Sequence, residues 1–109
     1  MSQSMTPMED ALRAKITDAL KPTALEVFND SHKHAHHKAM QGSTSRETHF
    51  RVFITSSAFQ GKMQVARHRM VNSLMKDEMA QEGGIHALQL TTRTPEEEES
   101  RRQKEAAQA

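Results

Sequence analysis

The stretch Asp30-Ser31-His32-Lys33-His34-Ala35-His36-His37-Lys38 places four of the chain's seven histidines within six positions. Closely spaced imidazoles are neutral nitrogen ligands, suited to borderline metals and to iron. A further histidine, His86, follows Gly83-Gly84-Ile85 and precedes an apolar run. The chain has no cysteine, which removes disulfides, Cys-type zinc fingers and thiol catalysis together. Metal can then be held only by imidazole nitrogen, by carboxylate oxygen, or with thiolates that a partner brings. A self-contained four-thiolate iron–sulfur site is excluded. A dedicated zinc site needs four fixed ligands, and nothing in the His-rich segment fixes their angles. The plain alternatives are a solvated tract that chelates stray metal, and a hydrogen-bonded strand histidine at position 86.

A second group with chemical potential is Lys62, Arg67, His68 and Arg69. Lys62 lies in the turn Ala58-Phe59-Gln60-Gly61-Lys62-Met63 and the other three on the predicted helix that follows, and they could contact a partner protein or nucleic acid. The turn has a single glycine, short of the G-x-x-G clamp of RNA-binding KH domains. A net charge of +1 and an aromatic content of 4% give little general drive toward nucleic acid. Three polar groups in a row on a helix cannot share one face, so at least one of Arg67, His68 and Arg69 should turn inward. The serines have no nucleophile-elbow context, and the carboxylates gather at helix starts and in the C-terminal segment. The expectation is that the protein is not an enzyme.

The elements that must position these residues form one domain. At 109 residues and 35% apolar content, a domain buries only roughly 65% of its unfolded surface. No apolar run approaches the ~20 residues that span a bilayer, so no membrane partner is expected. The start MSQSMTPMED has no signal-peptide h-region and is not an Arg-rich presequence, which suggests a soluble intracellular protein. Thr6-Pro7-Met8-Glu9 has the form of a capping box with proline at the first helical position. Met8, Leu12, Ile16 and Leu20 then recur every four residues, as an amphipathic helix requires. Leu25–Phe28 and His49–Thr55 read as strands. In the second, Phe50, Val52 and Ile54 share one face, while His49, Arg51 and Phe53 share the other. A segment of about Asp30–Thr48 joins the two, far longer than a hairpin needs.

A second helix is predicted over Met63–Gln81, with a stripe of Met63, Ala66, Met70 and Leu74 widened by Val71 and Met75. A third strand follows over Ile85–Arg93. Thr94-Pro95-Glu96-Glu97 repeats the cap, but no apolar face follows it. Residues 96–109 are therefore expected to be a polar, fraying tail, and truncation after Pro95 should change stability little. The order α-β-β-α-β makes strands two and three parallel through a crossover. The histidine segment and His86 then lie at one rim of the sheet.

The motifs Glu47-Thr48-His49-Phe50-Arg51-Val52, Phe59-Gln60-Gly61, Arg67-His68-Arg69-Met70 and Ile85-His86-Ala87-Leu88 resemble the BolA family. Within it they resemble the eukaryotic branch that includes the mitochondrial and UV-inducible fungal members. The likeness runs from about Leu12 to Pro95. It implies an α+β, class II KH-like sandwich: a three-stranded mixed sheet covered by helices on one face, spanning residues 7–95 after an N-terminal tail of 1–6. It also implies partnership with a monothiol glutaredoxin, which brings glutathione, around a shared 2Fe–2S cluster. The family's strand histidine falls on His86. Its loop ligand falls on His34, where DSHKH aligns with E-S-x-x-H, and His32, His36 and His37 are alternatives. A homodimer is a further expected partner. The competing function is a DNA-binding transcriptional or stress-response regulator using the turn and the Arg67–Met70 helix. The compartment implied is the mitochondrial matrix or the cytosol.

Overall fold

The structure, a computed structural model, describes residues 5–31 and 47–108. Helix α1 spans Pro7–Leu20, strands β1 and β2 span Ala24–Asn29 and His49–Thr55, and helices α2 and α3 span Gln64–Leu74 and Lys76–Ala80. Strand β3 (Ala87–Arg93) and helix α4 (Pro95–Gln108) complete the chain. The three strands form one sheet in the order β1-β2-β3. β1 and β2 are antiparallel, with Val27 opposite Val52. β2 and β3 are parallel, with His49 opposite Ala87 and Val52 opposite Leu90. This is the mixed α+β sheet that the sequence pattern predicts.

Alternation divides the sheet into two faces. Phe50, Val52 and Ile54 of β2 and Val27 of β1 are buried, and they pack with Leu12, Ile16 and Leu20 of α1. Phe59, Val71, Met75 and Ile85 close the same core. The α1 stripe matches the sequence reading. The stripe on α2 matches in part: Val71 and Met75 are core and Met70 and Leu74 pack against it, but Met63 is 81% exposed and Arg67 joins the inward line. An arginine in that line escapes an apolar-periodicity search, because charge reads as surface.

The predicted single helix over Met63–Gln81 is broken at Met75, whose N–H is shared between the carbonyls of Val71 and Asn72, both at 3.2 Å. The break lets α3 turn back, and the Ile85 N–H reaches the Glu78 carbonyl at 2.9 Å. Gly84 permits that approach, since a Cβ there would lie 2.1 Å from the Glu78 carbonyl oxygen. Ile85 thereby enters the core and His86 emerges at the start of β3.

The cap of α1 also differs from expectation. The Thr6 side chain accepts no capping hydrogen bond. Instead the Glu47 carboxylate accepts from the N–H groups of Met8 and Glu9, at 3.1 and 3.0 Å. A carboxylate at a helix N-terminus satisfies orphan donors and opposes the helix dipole. Glu47 thus ties α1 to the chain two positions before β2.

The C-terminal segment is a helix in the structure rather than a fraying tail. Its capping box is formed: the Thr94 N–H donates to the Glu97 carboxylate at 2.8 Å, and the Glu97 N–H donates to the Thr94 hydroxyl at 3.2 Å. The same carboxylate receives Nη1 and Nη2 of Arg67 at 2.6 and 3.1 Å. α4 buries no residue of its own. It is fastened by ion pairs at its first turns, a mode that hydrophobic patterning does not register. Among the described residues, no helix is long and apolar enough to cross a membrane.

Candidate metal-ligand rim

The site grows from Thr48 and His49, where the chain enters β2. Thr48 is fully buried, and its carbonyl accepts from the N–H groups of His86 and Ala87, at 2.8 and 3.1 Å. This fork fixes the backbone of His86 against the first residues of β2. The imidazole of His86 is left exposed. Its ring lies edge-to-face with that of His49, at a centroid distance of 6.0 Å and an interplanar angle of 73°. His49 is half-buried, and its Nδ1 is 2.8 Å from the Thr48 hydroxyl. That contact gives the inner histidine a polar partner, the kind of orientation a ligating or positioning imidazole needs.

Both ends of the His-rich segment meet at this rim. Ser31 is buried, and its hydroxyl oxygen accepts from the N–H groups of Thr48 and His49, at 2.8 and 3.1 Å. The Asn29 side chain accepts from the Ser31 N–H at 2.9 Å, and the Asp30 N–H donates to the His49 carbonyl at 2.8 Å. Ser31 and Glu47, which bracket residues 32–46, are therefore held beside His49 and His86. His32, His34, His36 and His37 lie outside the described residues. Among the described residues, no group of three or more His, Cys, Asp or Glu side chains could hold a metal ion.

Ser31→Ala would remove the acceptor of two backbone N–H groups in a buried setting. Leaving buried donors unsatisfied costs about 1–3 kcal/mol, so urea denaturation should show a loss of about 2 kcal/mol. An unchanged midpoint would show that Ser31 does not hold the base of the segment.

The second candidate group is divided by the structure. Arg67 is 5% exposed and committed inward. Besides Glu97, it donates through Nε to the Lys62 carbonyl at 2.8 Å and through Nη1 to the Thr92 carbonyl at 3.3 Å. Its guanidinium also lies 5.8 Å from the centroid of the Phe59 ring. Arg67 is the residue of the Arg-His-Arg run that turns inward, and it is not a surface contact but a structural junction of α2, β3 and α4. Lys62 and Arg69 are exposed, and His68 is half-buried beside Leu90 and Gln64. They remain available to a partner, but without the cation between them.

Sequence reasoning did not single out His49, because alternation placed it simply on the outer face of β2. The signal available was the register: in a parallel pair, the residue opening β2 stands level with the one opening β3.

Comparison with known proteins places these elements in context. Residues 16–97 match the family model described as BolA, BolA-like protein. The chain is 47% identical over 91 residues to the UV-induced protein uvi31 of Schizosaccharomyces pombe, covering 82% of this chain and 87% of that one. It is 44% identical over 88 residues to SufE-like protein 1, chloroplastic/mitochondrial, of Arabidopsis thaliana, covering 79% of this chain and 23% of that longer protein. Among solved structures, BolA1 from Arabidopsis thaliana superposes with a TM-score of 0.71 at 36% identity, covering 89% of this chain and 97% of that one.

Proposed function

Because the chain belongs to the BolA-like family, we propose that it is an iron–sulfur cluster assembly or trafficking factor that partners a monothiol glutaredoxin. In this reading it supplies histidine ligands to a 2Fe–2S cluster shared between the two proteins. The observation that carries the reading is the exposed His86 imidazole, fixed at the sheet rim beside the base of the His-rich segment. The donor chemistry fits half of a ligand set: imidazole nitrogen is present and thiolate is absent from the whole chain. The partner contributes the thiolates, one from its own cysteine and one from glutathione. The cluster is cargo, held between two proteins that each complete it.

His86 is the proposed strand ligand and His34 the proposed loop ligand, with His32, His36 and His37 as competitors for the second place. His49 serves as a positioning residue, packing its ring against His86. The relative named as SufE-like supports an iron–sulfur setting, and its designation as chloroplastic/mitochondrial supports an organellar one. The DNA-regulator alternative gains no specific observation, since the buried Arg67 cannot reach phosphate while paired with Glu97.

The test is reconstitution with iron and sulfide. The isolated chain should yield no stoichiometric cluster that survives gel filtration, whereas the chain with a monothiol glutaredoxin and glutathione should yield a coloured heterocomplex. A stable cluster on the isolated chain would contradict the proposal.

A further inference from the structure

The face of the sheet turned away from α1 and α2 carries a cavity of about 320 Å³ that the rim does not use. Its floor is Phe53, which meets Phe28 edge-to-face at a centroid distance of 5.9 Å. Phe28 is 40% exposed, one of the few large apolar side chains left open among the described residues. The Arg51 guanidinium stands 4.8 Å from the Phe28 ring centroid and is tied to Asp30 at 2.5 Å. The opposite wall is Arg93 with Arg101 and Arg102 of α4, gathered on the single carboxylate of Glu98.

The cavity carries more positive than negative charge, since Arg51, Arg93, Arg101 and Arg102 line it against the carboxylates of Glu26 and Glu98. Glu98 takes Arg101 at 2.6 Å, whereas Arg93 and Arg102 approach it only to 3.4 Å. Charge-assisted hydrogen bonds run near 2.7–2.9 Å, so two guanidiniums keep most of their donor capacity. Arg101 has a second partner in Glu105, and Arg102 remains 66% exposed. Clustered guanidiniums with spare donors suit phosphate oxygens, which accept two parallel N–H bonds. Beside them, an aromatic floor suits a planar ring, since stacking on phenylalanine tolerates any base. The volume lies at the low end of ligand pockets, which run from about 300 to 1,000 Å³. It suits a single small molecule, not a length of chain.

We propose that this cavity binds a nucleoside monophosphate, with the base stacked on Phe53 and the phosphate on Arg93 and Arg102. The site is independent of the cluster reading, because no residue in it belongs to the rim.

The test is titration of the full chain with adenosine, guanosine, cytidine and uridine monophosphates, followed by amide NMR shifts. At least one nucleotide should give saturable shifts centred on Phe53, Thr55, Arg93 and Arg102, with a dissociation constant at or below about 1 mM. Adenosine alone and inorganic phosphate alone should bind at least about tenfold more weakly than that nucleotide. The double variant Arg93→Gln/Arg102→Gln should weaken binding by at least about tenfold with an unchanged fold spectrum. The double variant Arg69→Gln/Lys76→Gln, which removes equal charge from α2 and α3, should not. Equal weakening by both variants would reveal general charge attraction and overturn the proposal. Absence of saturable shifts with all four nucleotides would overturn it too.

Discussion

Ending the chain at Pro95 is expected to destabilise it by about 3 kcal/mol, a substantial part of the 5–15 kcal/mol that holds a typical domain together. The cause is the removal of Glu97 from Arg67. Breaking a buried ion pair by deleting one member costs about 3–5 kcal/mol, because the surviving charge stays desolvated. The Glu97 side chain is 47% exposed, and water can reach part of the vacated position, which sets the expectation at the lower end. Loss of the capping box adds to it. Ending the chain after Arg102 keeps Glu97, Glu98 and their partners, and should change stability by less than about 0.5 kcal/mol. Urea denaturation of the two truncated chains separates the cases, and equal stability of both with the full chain would refute the junction.

Acid reports on the same carboxyl. The Arg67 guanidinium, and then the Thr94 N–H, hold the Glu97 carboxyl down at about 2, against an ordinary 4.5. A depressed folded value means that the contribution is complete above about pH 4.5 and is lost as the pH falls toward 2. The chain ending at Pro95 should therefore lose less stability over that interval than the full chain does.

What could be read from the sequence follows from which interactions leave a periodic trace. The four-residue recurrence of Leu12, Ile16 and Leu20 and the alternation of Phe50, Val52 and Ile54 are imprints of burial against a single core. They fix the sheet, the parallel pairing and the common rim. Arg67 leaves no such trace, since a buried guanidinium is legible only together with its acceptors, which lie 25 and 30 residues away in Thr92 and Glu97. Glu47 is hidden for the same reason, capping a helix 38 and 39 residues earlier. Helix α4 escaped because it is attached by charge at one end and contributes nothing to the core. At the rim, the position of His86 could be inferred from topology. The neighbouring His49 could not, because the contact depends on the exact level at which two parallel strands begin.

The largest functional effect is expected from His86→Ala. The imidazole is exposed while its backbone is held by Thr48, so the substitution deletes a donor without disturbing the strand start. A ligand lost from a site that shares its metal with another protein removes the shared state itself. His86→Ala should therefore eliminate the mixed-ligand cluster, with glutaredoxin association partly retained through surfaces outside the rim. His34→Ala should weaken cluster retention more than His32→Ala, His36→Ala or His37→Ala. Equal behaviour of all four would mean that the segment acts as an unspecific chelating tract. Imidazole in place of thiolate makes the cluster less negative, which raises its reduction potential. Each imidazole must also be deprotonated to bind, so retention should fall as the pH is lowered.

The central claim is tested most directly by the visible absorption and circular dichroism of a cluster-loaded monothiol glutaredoxin as this chain is added. The chain has neither Trp nor Tyr, so its own absorption hardly intrudes. A shared site predicts a new spectrum that saturates at one chain per cluster and fails to appear with His86→Ala. A glutaredoxin spectrum left unchanged by the wild-type chain, or altered equally by His86→Ala, would contradict the account.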